Sequence, residues 1–133
     1  MTEKKNQLLK ISMVLSAFIL LVYGVVYLIF PGVQIKMTGG EPIPWFWINW
    51  VGGLQLAVGV GCILVLRNPV KQGIFVTAVL IAAIVTALAL YHVVIFEWDD
   101  SYNMLNSLIP AIVLTITAIL LSLSLRQSKE ILW

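Results

Sequence analysis

The stretch GIFVTAVLIAAIVTALALYHVVIF, Gly73 to Phe96, contains no Asp, Glu, Lys or Arg. As a helix it reaches about 36 Å at ~1.5 Å per residue, enough to cross the ~30 Å hydrocarbon layer of a bilayer. Three further runs share its character: Ile11 to Phe30, Trp47 to Leu66 and Leu105 to Leu125. The ~10-residue alternating segments that a barrel requires are absent, so helices are the spanning form.

Composition points the same way, because 61% hydrophobic against 11% charged residues lies far outside the range of water-soluble domains. The four spans use most of the 133 residues, so a single transmembrane domain over 1–133 is expected, with no separate soluble unit. The lipid bilayer is the first partner, and no nucleic acid is expected. Cys62 is the only cysteine and lies inside a span, which rules out an intramolecular disulfide. The first span follows a lysine-bearing tail, but its run is too long for a secretory signal and YLIFPGVQ offers no small-residue cleavage site. It reads as a signal anchor.

Threading the chain four times puts Lys4, Lys5, Lys10, Arg67, Lys71, Arg126 and Lys129 on one side and Lys36 alone on the other. By the positive-inside rule both tails and the RNPVKQ turn are cytoplasmic, in a multi-pass protein of a cell membrane, most simply a bacterial inner membrane. Glu41, Glu97, Asp99 and Asp100 fall outside, a bias that argues against dual topology. Between spans one and two, FPG ends a helix at Pro31 and VQIKMTGGEPIP reads as the longest loop. RNPVKQG and EWDDSYN are shorter still. Short connections make neighbours antiparallel, giving an up-and-down four-helix bundle, N-in and C-in.

Span two opens with WFWINWVGGLQLAVGVG. Trp45, Trp47 and Trp50 form an interfacial anchoring belt. Asn49, Gly53, Ala57 and Gly61 recur every fourth residue and make a stripe of small side chains suited to close helix packing, inside the chain or against a second copy. Gln55 lies deeper, where an amide needs partners. An internal echo, YGVVYLIF against YHVVIFEW, aligns Tyr23 with Tyr91, and each following span starts near an asparagine, Asn49 or Asn106. Two like-oriented hairpins about a pseudo-twofold axis along the membrane normal would produce that echo. His92 is the only imidazole, open to structural bonding, ligand or quinone contact, or proton handling. Glu97, Asp99 and Asp100 read as a solvated acidic loop or a cation-attracting mouth.

Most of the embedded polarity therefore falls in the outer half, whereas the inner half keeps only small groups such as Ser12, Ser16, Thr77, Ser122 and Ser124. This asymmetry points to a pocket open to the outer leaflet, lined by Tyr23, Asn49, Gln55, Tyr91, His92 and Asn106, with Pro110 widening the bundle beside it. Thiol–disulfide chemistry lacks a second cysteine. Small multidrug exporters and sterol-isomerase-like proteins need carboxylates within their spans, and fluoride channels need polarity through the whole bilayer.

By FPG, WVGGLQLAVGVG and RNP, the chain resembles small bacterial four-helix membrane proteins of the DoxX-like group. The resemblance implies a four-helix membrane fold, and some members of that group are linked to quinone-coupled redox complexes. It carries no catalytic motif, and neither catalytic nor metal-ligating residues are expected. The expectation is a non-enzymatic protein holding a lipid-like or quinone-like molecule, with no other cofactor. A subunit docking onto a larger membrane complex and a small oligomeric transporter are the alternatives.

Overall fold

A computed structural model describes residues 2–38, 45–96 and 104–133, with side chains described over 6–36, 47–96 and 104–133. Among the described residues all regular structure is helical: α1 (Thr2–Ile29), α2 (Pro31–Thr38), α3 (Trp45–Arg67), α4 (Gly73–Phe96), α5 (Leu105–Gln127) and α6 (Lys129–Leu132). Four are long and apolar enough to cross a membrane, over Asn6–Ile29, Trp47–Arg67, Gly73–Phe96 and Leu105–Gln127. The chain is an all-α four-helix bundle, with spans close to those expected from hydropathy.

Helix α2 lies where sequence suggests loop. Phe30 N–H donates to Val26 O at 2.8 Å, closing α1, and Val33 N–H donates to Phe30 O at 3.0 Å. Pro31 stands at the first position of α2, where its missing N–H leaves nothing unsatisfied and its fixed φ suits a helix. A proline that ends one helix here begins the next.

Helices α1 and α3 pack antiparallel at close range. A Cβ placed on Gly24 would sit 2.7 Å from Leu56 Cγ, and one on Gly52 would sit 2.8 Å from the Leu28 nitrogen and 3.0 Å from the Gly24 oxygen. One on Gly59 would sit 3.0 Å from Leu21. The absence of side chains at these points is what lets two backbones meet. Helices α4 and α5 form the second pair, and α1 meets α5 across the centre.

The core lies toward the end that holds Lys10, Arg67, Lys71, Arg126 and Lys129, called here the basic end. Leu9, Met13, Cys62, Val76, Leu121 and Leu132 are buried together there. Leu132 belongs to α6, which folds back beneath the bundle. Lys71 N–H donates to Ile131 O at 3.0 Å, and a Cβ on Gly73 would lie 2.5 Å from Cε2 of the Trp133 ring. Lys71 itself adopts φ 58°, an uncommon conformation for a side-chain-bearing residue that costs about 1–2 kcal/mol. The bond to α6 helps hold it. Outward, α4 shows Ile74, Ile81, Leu88 and Ile95 at heptad spacing, all more than half exposed. A surface of that kind is stable when lipid covers it.

Candidate functional site

The six expected pocket residues are spread over several environments. On α1, Tyr23 is half-buried with its ring edge-on to Tyr27, centroids 5.9 Å apart. On α4, the Tyr91 hydroxyl lies 3.2 Å from Thr115 Oγ1 of α5. Thr115 donates its own proton to Ala111 O at 2.8 Å, so Tyr91 is the donor across the interface. The echoed tyrosines thus have different surroundings, one aromatic and one polar. His92 is exposed, with its ring 4.9 Å from that of Phe96 one turn along the same helix. Asn106 is half-buried in the first turn of α5, beside the buried Ser107. Helix α5 continues unbroken through Pro110.

Asn49 and Gln55 differ from the rest. Their side-chain oxygens, Oδ1 and Oε1, are buried and have no hydrogen-bond partner. Being six residues apart on α3, they are rotated about 120° from one another and separated by about 9 Å along the axis. Gly52 and Gly59, which face α1, fall between them. The two amides therefore flank the α1 contact rather than share one recess.

The stripe Asn49, Gly53, Ala57 and Gly61, expected to pack inside the chain or against a second copy, is not an internal packing surface along its whole length. A Cβ on Gly53 would meet nothing within 4 Å, and Ala57 is exposed. Gly61 lies under the Phe75 ring of α4. Helix α1 is instead met by Gly59 and by Gly52 and Leu56, the last two each one residue before a member of the expected stripe. One residue is 100° of helix, so the expected stripe stands at the edge of the contact or faces outward. Trp47 and Trp50 are exposed with rings 5.6 Å apart, as an interfacial belt requires. The Trp45 side chain, Glu97, Asp99 and Asp100 lie outside the described residues.

Buried polarity at the basic end goes beyond what composition suggests. Ser12, Ser16, Ser124 and Ser128 are all 3% exposed or less. Ser12 Oγ and Ser124 Oγ are 2.9 Å apart, joining α1 to α5. Each hydroxyl also has an acceptor in its own helix, Ser12 in Leu9 O at 3.0 Å and Ser124 in Leu120 O at 2.6 Å, so the bond between helices competes with these for one proton per serine. Ser16 donates to Ser12 O at 2.8 Å. The four-residue spacing of these serines, Ser12 and Ser16 on α1 and Ser124 on α5 with Ser128 at its cap, is the signal that could have singled them out.

Two clefts open at this end. One of about 40 Å³ lies between α1 and α3 beside Asn6, Lys10 and Pro69, with room for about one water. Asn6 Oδ1, buried and unpartnered, borders it. The other, of about 420 Å³, lies between α3 and α4. None of the six expected pocket residues lines either cleft. Among the described residues no group of three or more His, Cys, Asp or Glu is placed to hold a metal ion. No protein-family model, curated protein or solved structure matches the chain. The likeness to the DoxX-like group rests on the short motifs FPG, WVGGLQLAVGVG and RNP alone.

Proposed function

We propose that this chain is a non-enzymatic protein of a cell membrane, with both ends cytoplasmic, that holds a lipid-like or quinone-like molecule against α3. The observation that supports this reading is the buried, unpartnered oxygen of Gln55, with that of Asn49 a second such acceptor on the other flank of the α1 contact. A buried acceptor without a donor costs about 1–3 kcal/mol. Both orphans are acceptors, so the matching ligand carries a hydroxyl, as a quinol or a glycerol headgroup does. Tyr23, Tyr91, His92 and Asn106 lie on other helices in separate surroundings, so the proposed contact rests on α3 and not on all six expected residues. Native mass spectrometry of gently extracted protein is the test. A small molecule should be retained, and Gln55→Leu should lower its retention about tenfold. Finding nothing retained, with melting unchanged on adding lipids or quinols, sinks the reading.

A second reading, an accessory subunit of a larger membrane complex, is favoured by the open space at Gly53. Small residues facing outward admit another helix at close range. Replacing Gly53 and Ala57 with leucine should then abolish co-purification of partners without lowering the melting temperature of the isolated chain. Retention of every partner rejects it.

A further inference from the structure

Although α3 and α4 are joined by the tight turn at 68–72, they make no extended contact along their lengths. What remains between them at the basic end is a cleft of about 420 Å³, within the ~300–1,000 Å³ range of small-molecule sites. Its walls are Gly61, Leu64 and Val65 of α3 and Phe75 of α4. The Phe75 ring lies across Gly61, and Leu64 is 58% exposed at the open side. Polar groups gather only at the rim, where Arg67, Asn68 and Gln72 complete the lining. Asn68 Oδ1 is occupied, accepting from Val70 N–H at 3.3 Å.

An apolar slot ending in a guanidinium matches the division within a phospholipid between acyl chain and phosphate. No Asp or Glu lines the cleft to oppose an anion. Arg67 is exposed in the last turn of α3, at the end of that apolar span, and Lys71 follows it in the turn. A guanidinium binds phosphate through charge-assisted, often bidentate hydrogen bonds. Basic recesses between membrane helices are suited to anionic headgroups for this reason.

We propose that the α3–α4 cleft is a binding site for one anionic glycerophospholipid of the leaflet at the basic end, its acyl chain along Leu64, Val65 and Phe75 and its phosphate on Arg67. The site is separate from Asn49 and Gln55 and stands whether or not those residues bind anything.

The test uses the full chain in mild detergent, with phosphatidylglycerol, phosphatidylcholine and inorganic phosphate added in turn, read by native mass spectrometry and thermal melting. Phosphatidylglycerol should be retained at one per chain and raise the melting temperature. Arg67→Gln should weaken its retention about tenfold, as loss of a charge-assisted contact does. Arg126→Gln, which removes another exposed cation of the same end, on α5, should leave it nearly unchanged. Leu64→Trp, which fills the open side while keeping the charge, should also reduce it. Equal losses in Arg67→Gln and Arg126→Gln overturn the proposal in favour of diffuse surface attraction. Equal retention of phosphatidylcholine, equal protection by phosphate alone, or a dimer that excludes lipid overturns it as well.

Discussion

At the scale of single residues, the Ser12–Ser124 contact is the clearest test of what holds α1 to α5. Both hydroxyls are fully buried, and in lipid neither has water as an alternative partner. Such interhelical bonds average about 0.6 kcal/mol and reach about 1.7 in membranes. A double-mutant cycle with Ser12→Ala and Ser124→Ala, followed by melting in detergent, should return a coupling in that range. A coupling of zero means that each serine bonds only its own helix, Ser12 to Leu9 O and Ser124 to Leu120 O. Nothing in the sequence ties Ser12 to Ser124, 112 positions apart. Their meeting is set by how α1 and α5 slide past one another, and hydropathy contains no such register. Tyr91 is a similar case: its embedded hydroxyl is evident from the sequence, but the nearness of Thr115 is not.

At the scale of the element, α3 presents two neighbouring glycine-bearing faces with different uses. Gly52 faces backbone atoms of α1, which cannot yield, so Gly52→Ala should destabilise the chain by about 1–3 kcal/mol, as overpacking does. Gly53→Ala meets open space and should be neutral or slightly stabilising, since alanine is the better helix former. Thermal melting of the two variants side by side separates them, and equal effects would contradict the α1–α3 register described above. The sequence shows that α3 is rich in glycine and that such glycines suit close packing. It does not show which face meets α1, because 49/53/57/61 and 52/56/59 both satisfy helical spacing. The choice depends on Gly24, whose own missing side chain makes room for Leu56.

At the scale of the whole molecule, hydropathy reveals the four spans because covering a span with lipid is a property of that span alone. It is blind to the closure of the basic end, which depends on three separated segments meeting. The residues KEIL form a single short helix with no apolar periodicity to announce it, yet Leu132 is fully buried with Leu9, Met13 and Leu121. Trp133 covers Gly73, and Ile131 O accepts from Lys71 N–H. The α3–α4 turn and α6 therefore hold one another, and loosening one should release the other. Leu132→Ala should cost about 2–5 kcal/mol if the cavity does not collapse. A purely local role for α6 confines the loss to residues 128–133. Coupling predicts more: in hydrogen exchange the Lys71 amide should lose protection together with the α6 amides, while amides near Gly24 and Gly52 keep theirs. Protection at Lys71 that survives Leu132→Ala rejects that coupling, since the only described acceptor for this amide is the carbonyl of Ile131.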